Sequence, residues 1–111
     1  MLRDTETMEF YFLKDFHDMR CKYDRVLSVI RQQMNREPLE GEAFIMMSRN
    51  RRTVRIFQYD DHACMLHEKR FHQGYQFMKV EREDGRQVFR INWRDVMRIL
   101  VSPVVKTLRI R

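Results

Sequence analysis

Glycine, proline and cysteine are scarce in this 111-residue chain, at three, two and two residues. With only Gly41, Gly74 and Gly85, no glycine-rich loop exists to cradle a nucleotide phosphate. Pro38 and Pro103 stand alone, so there is no proline-rich linker, no low-complexity tract and no internal repeat. Cys21 and Cys64 lie far apart and make no disulfide framework, which points to free thiols in a reducing cytoplasm. No apolar run approaches the roughly 20 residues that span a bilayer, so no membrane partner is expected. The first residues carry Asp4, Glu6 and Glu9 and lack the basic-then-apolar layout of a signal peptide.

Hydrophobic residues make up 43% of the chain and aromatics 12%, enough for one modest core and not two, so residues 1–111 read as one domain. The formal charge of +6 is unevenly spread. Residues 1–50 hold 8 Lys and Arg against 9 Asp and Glu, whereas residues 51–111 hold 14 against 7. Seventeen of the 22 basic residues are arginine, whose planar fork suits phosphate and carboxylate oxygens. Such a half is the electrostatic footprint of a nucleic-acid partner or of an acidic protein.

Periodicity predicts an α+β fold: one amphipathic helix on a mainly antiparallel β-meander, with a short C-terminal helix. Residues 8–13 form a dense apolar run suited to a buried strand. Asp18 is a candidate N-cap for a helix over 18–34, with apolar residues at 19, 23, 26, 27, 30 and 34. Met19, Tyr23, Leu27, Ile30, Phe44, Ile56 and Leu66 are the expected core. Residues 43–48 and 53–59 read as strands joined by the polar Arg49–Arg52 loop, and 63–70 and 75–82 continue the meander. Asp84-Gly85 is a hairpin signal, because both residues accept positive φ. Asn92 is placed to cap a last helix whose stripe is Trp93, Val96, Met97 and Leu100, stopped by Pro103. Leu108 and Ile110, alternating with Arg109 and Arg111, suggest a final strand.

No enzymatic site can be drawn. Two-metal strand transfer needs convergent carboxylates, yet Asp60-Asp61, Glu81, Glu83 and Asp84 sit at turns, where solvated acids are ordinary. His62, Cys64, His67 and His72 do not fit a zinc tetrad, since 64 and 67 fall on opposite faces of a strand. Cys21 beside Arg20 and Lys22 has a setting that favours thiolate, but no fixed base. The expectation is a non-catalytic protein without cofactor or metal. The chemistry on offer is cationic: Arg49, Arg51 and Arg52 at the hairpin tip, Arg55 on the next strand, Lys69 and Arg70 on the neighbouring one, and Arg20 after the cap. Phosphate contacts from such a set give affinity and salt dependence with little sequence choice. For Arg20 the local alternative is an ion pair with Asp18.

Four spaced blocks carry a resemblance. They are Asp18-Met19-Arg20-Cys21-Lys22-Tyr23, Arg36-Glu37-Pro38-Leu39-Glu40-Gly41 before Ala43-Phe44-Ile45-Met46, Asn50-Arg51-Arg52 with Tyr59-Asp60-Asp61, and Lys69-Arg70-Phe71-His72-Gln73-Gly74. In order and spacing they resemble the small accessory protein, the TnpB-type second open reading frame product, of the insertion sequence family numbered sixty-six. The resemblance departs where that family's Lys-Gly after Asp-Met-Arg is Cys21-Lys22, and its Asp-Gly turn is Asp60-Asp61. It implies an accessory protein of DNA transposition, encoded beside a separate transposase. Two readings follow: contact with the DNA of the element ends through the arginine-rich surface, or an adaptor that docks on or stabilises the transposase without touching DNA.

Overall fold

A computed structural model describes residues 8–60, 62–101 and 107–110. Asp61, Pro103 and Arg111, which figure in the readings above, lie outside the described residues. The elements run β1 (Glu9–Leu13), α1 (Tyr23–Met34), β2 (Glu42–Met47), β3 (Thr53–Tyr59), β4 (Cys64–Arg70), β5 (Lys79–Arg82), β6 (Val88–Ile91), α2 (Trp93–Val101) and β7 (Thr107–Ile110). The fold is α+β. A five-stranded sheet has the order β4-β3-β2-β1-β6, and β5 and β7 form a second sheet of two strands.

The sheet is mixed. β2–β3, β3–β4 and β1–β6 are antiparallel, but β1 and β2 run parallel, with Phe10 opposite Ala43 and Phe12 opposite Ile45. A parallel neighbour demands a crossover, and α1 is that crossover. β2 is therefore covered on both faces, which explains why Glu42-Ala43-Phe44-Ile45-Met46-Met47 is buried at every position. On one face Phe44, Met46 and Phe57 meet Val26, Val29 and Ile30 of α1. On the other, Ala43, Ile45, Val54 and Ile56 meet Val96 and Ile99 of α2 and Val80, Leu108 and Ile110 of the small sheet. Each large apolar side chain fully buried here contributes about 1.5–3 kcal/mol.

Several expectations are corrected. The first helix begins at Tyr23, not at residue 18, and its N-cap position is Lys22 with no side-chain cap bond. Asp18 Oδ1 instead accepts the Arg20 amide at 3.0 Å, closing a tight turn, while Arg55 takes the Met19 and Cys21 carbonyls that a longer helix would need. With its start displaced, Tyr23 is 46% exposed, and Met19, Leu27 and Leu66 are half-buried, whereas Ile30, Phe44 and Ile56 are core.

The meander also ends early. After β4 the chain folds back on the β2–β3 hairpin, with the Phe71 and Phe77 amides donating to the Arg52 and Arg51 carbonyls. The next strand is only Lys79–Arg82, and its partner is β7, in parallel. Asp84-Gly85 does turn, with the Arg86 amide on Asp84 Oδ1 at 3.1 Å and Gly85 at φ 74°. Its flanking strands go to different sheets, so it is no hairpin. Finally, Asn92 caps α2 through the Asp95 amide at 2.9 Å, and Trp93 stacks on Phe10, but Ile99 rather than Met97 completes the buried stripe.

Candidate functional site

Because β1 and β2 are parallel neighbours, their carboxyl ends lie side by side, and the loops that follow them, 14–22 and 48–52, face one another. Open α/β sheets hold ligands at this kind of place, outside the carboxyl ends of strands. His17 joins the loops: its ring Nδ1 lies 2.8 Å from the Met47 carbonyl. A carbonyl only accepts, so Nδ1 carries the proton in this bond.

Two open grooves flank this junction. One, of about 700 Å³, is lined by Arg20, Arg25 and Arg49 with Asp15 and Asp18. The other, of about 410 Å³, is lined by Lys14, Arg49, Arg51 and Lys79, again with Asp15. His17, Ser48 and Arg49 border both. Six cations thus surround two carboxylates.

The tip is held by its own polar groups. Ser48 Oγ donates to Asn50 Oδ1 at 2.7 Å and accepts the Arg52 and Thr53 amides at 3.2 and 3.1 Å. Arg51 sits at φ 57°, its amide on the Ser48 carbonyl at 3.0 Å. The left-handed residue in the tip lets the two strands close over five loop residues. Among the described residues, the side chains of Lys14, Arg49 and Arg51 have no hydrogen-bond or ion-pair partner. Arg20 is 96% exposed and only 3.9 Å from Asp18, a contact of little energy in water. Arg25 lies over the Phe16 ring at 6.0 Å, and Lys79 pairs with Glu81 at 3.1 Å in the open.

Of the seven residues singled out in sequence, Arg20, Arg49 and Arg51 come together here. The other four are placed differently. The Arg55 side chain is 13% exposed, donates to Cys21 O at 2.7 Å and Met19 O at 3.2 Å, and pairs with Glu68 at 3.4 Å. Arg52 donates to the Phe71 carbonyl at 3.3 Å. Lys69 donates to the Leu100 carbonyl and lies over the Phe71 ring. Arg70 is exposed and pairs with Glu68 at 3.6 Å. In register Lys69 is opposite Val54 and Arg70 opposite Thr53, so the two project from opposite faces of the sheet and build no single edge.

Arg55 positions the loop that carries Arg20. Arg55→Ala is expected to cost about 1.5–3 kcal/mol, because two carbonyls lose a charged donor. A lowered urea midpoint, with faster amide exchange at residues 18–22, is the measurement; unchanged exchange there overturns the assignment.

Lys14, His17, Arg25 and Lys79 were missed in sequence. A strand–helix–strand order was visible and would have found the first three, since it sets the ends of β1 and β2 together. Lys79 depends on β5 leaving the meander, which nothing local announces.

The histidine and cysteine readings also meet the structure. Among the described residues no group of three or more His, Cys, Asp and Glu is arranged to share a metal ion. Cys21 is buried, and burial, followed by the charge of Asp18, pushes its thiol up, away from the thiolate its basic neighbours suggested. No described helix is long and apolar enough to cross a membrane. The family model described as IS66 Orf2 like protein matches residues 8–108. No curated protein and no solved structure matches the chain.

Proposed function

The chain belongs to the IS66 Orf2 like family and so is a transposition-associated accessory protein, and from that premise we propose that it acts by contacting DNA through the paired basic grooves. The observation that carries this reading is the set of uncommitted cations there. Lys14, Arg49 and Arg51 line the two adjoining grooves with no hydrogen-bond or ion-pair partner among the described residues, and Arg20 has only its long, exposed contact with Asp18, while the arginines elsewhere are largely tied to carbonyls and acids. Cations left unpaired on rigid loops are ready to take phosphate oxygens at small entropic cost. The protein on this reading is non-catalytic, needs no cofactor, works in the cytoplasm, and hands the DNA of the element ends to the separate transposase.

The grooves offer chiefly charge, and the one carboxamide at their edge, Asn50, has its Oδ1 engaged by Ser48 and the Arg52 amide, so contact is with the phosphate backbone and sequence choice is small. A salt titration of duplex DNA binding tests this. Wild-type affinity is expected to fall linearly in logarithmic coordinates, with a slope of about −0.9 for each phosphate neutralised, hence about −3 to −4 for four contacts. A protein with no affinity at low salt that nonetheless co-purifies with transposase would be the adaptor instead, and DNA contact would be overturned.

A further inference from the structure

The loop over residues 71–77 is fastened to the arginine tip at both ends. The Phe71 amide donates to the Arg52 carbonyl at 2.8 Å and the Phe77 amide to the Arg51 carbonyl at 2.6 Å. Arg52 returns a bond to the Phe71 carbonyl at 3.3 Å, and Gln76 Nε2 donates to the Asn50 carbonyl at 2.8 Å. Phe71 and Phe77 pack with ring centroids 4.1 Å apart. Between these anchors the chain turns at Gly74, φ 97°, and the Tyr75 amide closes on the His72 carbonyl at 3.1 Å. A loop so tied has its shape set in advance.

On this turn Tyr75 is 51% exposed. Its ring has no aromatic, hydrogen-bond or ion-pair partner among the described residues. The other exposed tyrosine differs: Tyr23 lies on α1 with its ring 6.4 Å from that of Phe57. Tyr75 directly precedes Gln76, which binds Asn50 of one groove, and lies two residues before Phe77, which binds Arg51 of the other. The cations take phosphates. A flat, exposed aromatic on the turn tied to the same tip supplies what a phosphate clamp lacks, a face on which a base can stack.

We propose that Tyr75 is a base-stacking residue, and that the ligand of this surface is DNA with unpaired bases, whose backbone lies in the grooves while one base rests on the Tyr75 ring. The proposal rests on the DNA-contacting reading above and adds the strand state of the ligand. In a duplex the bases are already stacked on one another, so the ring has nothing to receive. In an unpaired strand each exposed base face is free, and every base type has one.

Fluorescein-labelled oligothymidylate and a duplex of mixed sequence, each titrated with wild-type, Tyr75→Ala and Tyr75→Phe proteins at low salt, test this by anisotropy. Tyr75→Ala is expected to weaken oligothymidylate binding about tenfold or more, with Tyr75→Phe retaining affinity because the stacking face is kept. Duplex affinity is expected to be unchanged in both. An exposed side chain contributes little to stability, and thermal melts of the variants confirm that the fold is shared. If Tyr75→Ala binds oligothymidylate as wild type does, or loses equally on duplex, the stacking role is overturned and the groove reading stands. If wild-type protein binds neither probe, both fall together.

Discussion

Glu42→Ala is expected to lower stability by about 3–5 kcal/mol, a large share of what a domain of this size has. Glu42 opens β2 at 4% exposure. Its carboxylate accepts both ends of the Arg36 fork, at 2.9 and 2.7 Å, and the Leu39 amide at 2.7 Å. Arg36 also donates to the Glu37 carbonyl at 2.8 Å and lies over the Tyr11 ring. One carboxylate thus closes the whole turn from α1 into β2, and the Arg36–Gly41 block is a structural clamp. Removing it leaves Arg36 without its anion and the Leu39 amide without an acceptor. Most of the cost is the stranded partners, not the worth of the intact pair. Replacing both residues together, Arg36→Met with Glu42→Leu, should therefore cost much less than either Arg36→Met or Glu42→Leu alone.

The same carboxylate makes stability acid-sensitive. Burial alone would push its pKa up, but the Arg36 hydrogen bonds, the Leu39 amide and the Arg36 charge outweigh burial and hold it below the ordinary value. A lowered folded pKa means the contribution is complete above the unfolded pKa and is lost as pH falls through the folded one. Melting temperature should fall in acid for wild type and less steeply for Glu42→Gln. Parallel acid profiles would show that Glu42 is not the group responsible.

Much of this architecture can be read in the chain, and where it cannot the reason is distance along the sequence. The buried face of α1 follows from the spacing of Val26 and Ile30, the hairpin from the polar tip between two β-rich runs, and the cap of α2 from Asn92. The start of α1 does not follow, because Arg55, 34 residues beyond Cys21, takes the carbonyls that would have extended the helix. Asp84-Gly85 announces a turn but cannot say which strands it serves; that is decided by β1 and β7. The site divides in the same way. Arg20, Arg49 and Arg51 are legible as loop cations. Lys69 and Arg70 are not one patch, since strand neighbours face opposite ways. Arg55 shares a face with Phe57, under α1, and alternation alone would have sent it inward.

Reversing charge at Arg49 and Arg51 together, each to Glu, is expected to abolish DNA binding at moderate salt and transposition of a marked element with it. Arg49 borders both grooves and Arg51 one of them, so two contacts become two repulsions at the centre of the surface. At least two contacts should vanish from the salt dependence, reducing its logarithmic slope by about 1.8. These side chains have no partner among the described residues, and Arg51 already holds φ 57° with a Cβ, so the fold should persist within about 0.5 kcal/mol. Arg52 and Arg55 are the wrong sites for this experiment, because their guanidiniums hold Phe71, Met19 and Cys21 in place. Arg70→Glu is the matched control: it changes the same charge on an exposed side chain that lines neither groove. If net charge alone governs binding, one Arg70 reversal should cost half as much as the double reversal on a logarithmic scale. If the grooves bind DNA, Arg70→Glu should cost far less than that. Equal effects per charge would reduce the site to a diffuse basic field, and normal transposition by the double variant would end the proposal.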